Sequence, residues 1–197
     1  MNGQRSVNDS ESTASQQLDE TCLIEQAKHG NRQAISELYR RHVDTVYRFI
    51  YARVPDATFA EDLTSQVFLK ALEGLACYQP SGRPFIAWLC RIAYARTGDY
   101  WRQQGRRQEV PLPDTLPASN PLPEDLIIAE AEWSTAFDLL SQLTESQQDV
   151  IMLRFLGDLK LADVAHILGK SVGAIKALQH RALASLARLL EEQSIRE

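Results

Sequence analysis

Five prolines, at positions 111, 113, 117, 121 and 123, divide this chain into two halves that cannot share one continuous helix. Each proline ring fixes φ near about −65° and removes a backbone donor, so a run of them favours extended backbone. The stretch QEVPLPDTLPASNPLPED therefore reads as a tether. On either side, apolar residues recur every three or four positions, the period of a helix with one buried face. Stripes such as Leu23/Ala27, Leu38/Val46/Phe49/Ile50, Leu63/Val67/Phe68/Leu72 and Phe85/Trp88/Leu89/Ile92 precede the tether. No segment makes a convincing strand. The expected fold is all-α, with two small helical domains joined by a proline-rich acidic linker. Residues 1–18, polar and without periodicity, form a disordered tail on this reading. Residues 19–107 form a bundle of four helices broken at Gly30-Asn31, Pro55-Asp56 and Pro80-Ser81-Gly82. The linker spans 108–123, and a second domain spans 124–197 with helices near 124–141, 144–157, 160–168 and 172–191.

The second domain contains LTESQQDVIMLRFLGDLKLADVAHILGKSVGAIKALQHRALASL, from Leu143 to Leu186. Leu161, Val164, Ala165 and Leu168 give one short helix a single buried face. Gly169 suits the left-handed position after that helix, and the Ser171 hydroxyl can cap the next one. Val172, Ile175, Leu178, Ala182 and Leu186 supply the apolar stripe of the following helix. Its outer face keeps Ala174, Lys176, Ala177, Gln179, His180 and Arg181, which are small, hydrogen-bonding or cationic. A helix entering a DNA major groove needs those properties. The pattern fits a helix-turn-helix, and an ordinary helical hairpin with a solvated basic face remains open beside it.

The net charge of −5 conceals a strong asymmetry. Residues 1–20 carry −3, residues 21–107 carry +5, residues 108–149 carry −9 with no Lys or Arg, and residues 150–197 carry +2. Two mildly basic domains thus flank an acidic segment. Phosphate attraction dominates DNA affinity, so such a chain should bind duplex weakly when free.

The helix near 84–104 carries a second signal. At about 100° per residue, Trp88, Leu89 and Ile92 cluster beside Phe85, while Tyr94 and Trp101 fall nearly opposite. Arg91 and Arg102 flank those two rings, and Arg106 and Arg107 follow. Unpaired bases stack on aromatic rings while arginines follow phosphates, with about 1–3 kcal/mol of stacking per base. Packing of Tyr94 and Trp101 on a neighbouring helix or on the linker is the alternative.

Other classes find little support. No apolar run approaches membrane-spanning length and no secretory leader is visible, which implies a cytoplasmic protein without membrane insertion. Cys22, Cys77 and Cys90 are scattered and odd in number, as expected of buried thiols in a reducing compartment. His29, His42, His166 and His180 are isolated, so no metal site is expected. No nucleophile–base pair or phosphate-binding glycine loop is present, so neither enzymatic activity, nor a cofactor, nor a small-molecule substrate is expected.

With these motifs in place, the chain resembles the extracytoplasmic-function group of bacterial RNA polymerase sigma factors. The strings AISELYRRHVDTVYRF, AEDLTSQVFLKAL, PFIAWLCRIA, DYWRQ and the 143–186 segment stand in that family's order and spacing. The resemblance implies a subunit that binds core RNA polymerase through the β′ clamp helices and β flap. It would recognise promoter DNA at −35 and −10 elements and open the latter. Glu61, Asp62, Ser65 and Gln66 then match the polymerase-docking segment, although the family usually has Gln and an acid where Ser65 and Gln66 stand. Arg91, Tyr94, Arg96, Asp99, Tyr100, Trp101, Arg102 and Arg106 match the −10 reader. An Arg-Asn pair common in the family is replaced by Tyr94-Ala95. Arg154, Lys170, Ser171, Ala174, Lys176, Ala177, His180 and Arg181 match the −35 reader, and a frequent arginine is absent at Leu178. The linker carboxylates Glu109, Asp114, Glu124 and Asp125 would mimic phosphates within the polymerase, and an anti-sigma factor is implied as negative partner. Rival readings are a self-sufficient helix-turn-helix regulator and an inert helical adaptor.

Overall fold

The computed structural model describes residues 19–54, 56–107 and 136–194. Residues 19–28 form α1, followed by α2 (Arg32–Tyr51), α3 (Ala57–Leu75) and α4 (Phe85–Arg107). After the tether come α5 (136–141), α6 (Glu145–Ile151), a π-helical turn (Met152–Leu156), α7 (Leu161–Leu168) and α8 (Val172–Ser194). Among the described residues there is no strand. Residues 1–18, the linker 108–123 with its Glu109, Asp114, Glu124 and Asp125, and the helix expected over 124–135 lie outside the described residues.

Local chemistry sets the ends of these helices. The Asn31 side chain accepts from Gln33 N and Ala34 N at the start of α2. Asp56 does the same for Thr58 N and Phe59 N at the start of α3. Each satisfies two of the amides that a helix N-terminus leaves without partners. Glu20 ties α1 to two other helices: Oε1 meets His42 Nε2 at 3.0 Å, and Oε2 accepts from Phe85 N at 3.3 Å. Thr144 N donates to Gln147 Oε1 at 3.1 Å, closing the first turn of α6 from within. Gly169 adopts φ 63°, the left-handed geometry expected of a residue that stops α7. Ser171 Oγ then accepts from Ala174 N at 3.2 Å and starts α8.

In the N-terminal half, Val46, Phe49, Ile50, Val67, Leu89 and Ala93 are fully buried where α2, α3 and α4 pack. In the C-terminal half, Val150, Leu153, Leu159, Val164, Ile175 and Ala182 fill the space among α6, α7 and α8. The two halves also pack directly on each other, α7 on α4 and the π-helical turn on α2. The Tyr51 and Phe137 rings meet edge-on across that seam, with centroids 4.7 Å apart.

Several sequence expectations are corrected. The buried face of α4 centres on Leu89, Cys90, Ala93 and Thr97, while Trp88 and Ile92 are only half-buried. This helix is covered from two sides, so a single stripe underestimates its core. Val172 is 48% exposed at the first residue of α8 and does not belong to the buried stripe. Of the three thiols, only Cys90 is buried, and burial pushes its pKa up to about 12; Cys22 and Cys77 are exposed.

These placements separate two substitutions in one helix. Ile175→Ala should cost about 2–5 kcal/mol, as deletion of a buried branched side chain does. Val172→Ala should stay within about 0.5 kcal/mol. Urea denaturation, read as a midpoint shift at constant slope, checks both.

Candidate nucleic-acid interface

On α8, Ala174, Lys176, Ala177, His180 and Arg181 are exposed together, with Lys170 and Ser171 just before them. Gly173, Lys176, Ala177, His180 and Arg181 line a shallow open concavity. The small residues let a backbone edge approach, and the cations border it. Ile175 and Ala182, fully buried on the opposite side, fix the helix rotation that exposes this face. Gln179 and Arg154 are the departures. The Arg154 guanidinium is bound to the Leu159 carbonyl and, at 3.2 Å, to Gln179 Oε1, so it braces the π-helical turn against α8. Two of its donor nitrogens, Nε and Nη1, are thus engaged within the fold, which leaves less of the guanidinium for the phosphate contact expected from the sequence.

The α4 face is built differently from the sequence expectation. Tyr94 does not lie open to solvent; it is half-buried, with the Arg53 guanidinium 4.8 Å above its ring. The same guanidinium lies 4.7 Å from the Phe49 ring. Trp101 is 51% exposed, and its Nε1–H donates to the Arg53 carbonyl at 2.9 Å. That bond holds the indole at a set angle while leaving a face open. Tyr100 is half-buried, tilted against Phe59 at 5.5 Å and edge-on to Trp101 at 5.4 Å. Asp99 pairs with Arg102 at 2.5 Å, Arg96 is half-buried, and the Arg106 side chain lies outside the described set. The packing alternative thus holds for Tyr94, and exposure holds for Trp101.

Among the described residues, side-chain contacts that join the two halves beside this face include four whose members sequence reasoning mostly missed. Arg53 of α2's C-terminal turn pairs with Asp149 of α6. Arg83, before α4, pairs with Asp163 of α7 at 3.2 Å. Arg91 Nη1 donates to His166 Nε2 at 2.9 Å, which requires that nitrogen to be unprotonated. The fourth contact is the Tyr51–Phe137 ring pair. The three arginines all come from the N-terminal half, and their acceptors all come from the C-terminal half. Burial, followed by the nearby charges of Arg83 and Arg91, holds the His166 pKa below its ordinary value. Asp149 is raised to about 6, because burial outweighs the attraction of Arg53. The only legible signal for these residues was the positive balance of one half and the acidity beside the other.

On α3, Ser65 and Gln66 are exposed, Glu61 and Asp62 are half-buried, and Leu69 stands out at 61% exposure. Leu72 is exposed next to it, where Ile35, Leu38, Tyr39, Phe68 and Leu75 line a small apolar groove between α2 and α3. Among the described residues, no group of His, Cys, Asp or Glu could hold a metal ion, and no helix is long and apolar enough to cross a membrane.

Comparison with known proteins bears on both faces. Residues 38–107 match the Sigma-70 region 2 family, and residues 139–188 match Sigma-70, region 4. The ECF RNA polymerase sigma factor BldN of Streptomyces coelicolor is 40% identical over 174 residues, covering 87% of this chain and 66% of that protein. The ECF RNA polymerase sigma factor SigD of Mycobacterium tuberculosis is 30% identical, covering 84% of this chain and 81% of that protein. Among solved structures, CnrH in complex with the cytosolic domain of CnrY superposes with a TM-score of 0.63 at 26% identity, over 87% of this chain and 96% of that one.

The seam predicts a pH signature. Asp149 faces Arg53 of α2, Glu145 on its own helix and Lys170 before α8. Its native pKa lies above the ordinary 3.8, so the folded chain holds this proton more tightly than the unfolded chain. The stability it contributes is present below pH 3.8 and is lost as pH rises towards about 6. Urea unfolding of the wild type and Asp149→Asn across that window should show their stability difference falling with pH, then staying level above about 6.

Proposed function

Since the chain belongs to the ECF group of RNA polymerase sigma factors, subunits that direct promoter-specific transcription initiation, we propose how its two faces divide that task. The exposed face of α8 reads the −35 element as duplex in the major groove, and α4 with Trp101 takes up the separated strand of the −10 element. The observation that carries this reading is the pairing of a flat cationic helix face with an exposed indole on the other half of the chain. A duplex edge needs short side chains and hydrogen-bonding donors, which Ala174, Lys176, Ala177, His180 and Arg181 supply. An unstacked base needs a ring at a fixed angle, which the Trp101 bond to the Arg53 carbonyl supplies.

The exposed part of α3, with Asp62, Ser65 and Gln66 beside Leu69, faces the β′ clamp helices on this reading, and the C-terminal half meets the β flap. Glu61 belongs to the same turn. The chain makes and breaks no covalent bond; the polymerase does the chemistry, in the cytoplasm. CnrH is seen in complex with the cytosolic domain of CnrY; a negative protein partner, an anti-sigma factor, is proposed for this chain. Residues 19–107 and 124–197 act as the two functional domains, with 108–123 as the connection between them and 1–18 as a tail.

Geometry adds a requirement. Elements named −35 and −10 are separated by about 25 base pairs, which is roughly 85 Å along duplex DNA. Here α4 and α7 touch. Both elements cannot be read from this arrangement, so the seam must open when the polymerase takes up the chain.

In vitro transcription with core polymerase tests the division of labour. Lys176→Ala with Arg181→Ala should lower promoter-dependent transcript by about 10- to 100-fold, in line with the loss of specific groove contacts. Trp101→Ala should lower open-complex formation by a similar factor, as measured by permanganate reactivity, while assembly with core polymerase stays unchanged. Unchanged transcript from both variants would sink the assignment.

A further inference from the structure

Arg53, Arg83 and Arg91 lie along one side of the N-terminal half, and each points at an acceptor on the C-terminal half. The acceptors are carboxylates for two of the three, Asp149 and Asp163, and both are buried at the seam. A row of guanidinium groups meeting oxyanions is the arrangement by which proteins hold a phosphate backbone. Arg53 is the most telling member. Its charge is held between the Phe49 and Tyr94 rings, 4.7 and 4.8 Å away. Its carbonyl orients Trp101. Asp149 engages its Nη2 through a single oxygen, and Nη1 is buried without a hydrogen-bond partner among the described residues. A guanidinium that uses one arm of its fork on a carboxylate has a second arm ready for an oxyanion with more acceptors.

We propose that Arg53, Arg83 and Arg91 form a track for the phosphates of the DNA strand that Trp101 engages, and that Asp149 and Asp163 occupy this track in the closed chain. Arg53 and Arg83 thereby join the nucleic-acid interface, and the helix-turn-helix half acts as an internal competitor for it. Each carboxylate stands where a phosphate oxygen stands in the open complex. His166 serves as the neutral acceptor at the third position, so Arg91 is covered without a third acid. Closing and strand binding exclude each other, because they use the same guanidinium groups. This inference rests on the assignment of α4 to single-stranded DNA.

The test uses the full-length chain without polymerase and a fluorescein-labelled oligodeoxythymidine, read by anisotropy across a salt series. Asp149→Asn with Asp163→Asn removes both competing charges with little change of shape. This variant should bind the oligonucleotide about tenfold more tightly than wild type at low salt, with a steeper dependence on salt concentration. Adding Arg53→Gln to it should return affinity and slope towards wild type. Equal affinity and equal slope in wild type and the double carboxamide variant would overturn the proposal. Arg83→Gln, a change at a partly exposed position that leaves the core intact, provides an independent arm. In the polymerase holoenzyme it should weaken fork-junction DNA binding and flatten the salt slope, and no change there also overturns the track. Trp101→Ala distinguishes the underlying assignment: if it leaves oligonucleotide binding by the double carboxamide variant unchanged, strand binding by α4 fails. If it weakens binding while the carboxamide variant gains nothing over wild type, only the competition fails.

Discussion

The guanidinium of Arg53 is the point on which the rest of the arrangement depends. It is placed by the last turn of α2, covered by Phe49 below and Tyr94 above, and neutralised by Asp149 from the other half of the chain. A charge removed from water in this way is costly unless it is paired. The pair therefore commits α6 to a position against α2 and brings α7 onto α4. With α7 in place, Arg83 and Arg91 find Asp163 and His166. Trp101 is oriented by the same residue through its carbonyl. One side chain thus links the seam between the halves to the geometry of the exposed ring.

The charge pattern of the sequence acquires a spatial meaning from this. The N-terminal half is positive and the segment ending at Asp149 is strongly negative, so the closed chain satisfies its own electrostatics. Ion pairs at a seam of this kind are modest in strength, since desolvation offsets much of the attraction. That modesty suits a contact that must yield. A polymerase that separates the halves exchanges three internal pairs for contacts with DNA, and the cost of opening is returned by the phosphate backbone. Apolar packing also joins the halves, since the buried residues of both belong to one hydrophobic core, and opening must separate that packing as well. The only aromatic pair found across the seam among the described residues is Tyr51 with Phe137.

What the sequence disclosed follows the range of the interactions involved. Local rules sufficed for the helix-turn-helix: Gly169 is left-handed, Ser171 caps α8, and Ile175 and Ala182 are buried at the spacing their period predicts. The family was also legible, because five strings in order carry it. Reasoning failed where a residue's environment comes from the other half. Tyr94 sits on the outer side of α4 when that helix is drawn alone, but it packs against the core with the Arg53 guanidinium over its ring. Arg154 has the chemistry of a phosphate contact, yet the π-helical turn brings it to Leu159 and Gln179. Val172 follows the apolar period, yet at the first residue of α8 it is 48% exposed. Arg53 and Asp149, nearly a hundred positions apart, leave no local pattern at all.

The central claim is that the halves are closed in the free chain and open when both promoter elements are read. A pair of spin labels measures this most directly, one at position 73 on α3 and one at position 187 on α8, with Cys22 and Cys77 replaced by Ser. Both label sites are exposed, and neither belongs to a seam pair. Pulsed dipolar spectroscopy of the free chain should give one short, narrow distance distribution. In the polymerase holoenzyme on promoter DNA the distribution should shift outward by on the order of tens of ångströms. The same short distance in both states, or a broad long distance in the free chain, would contradict the account.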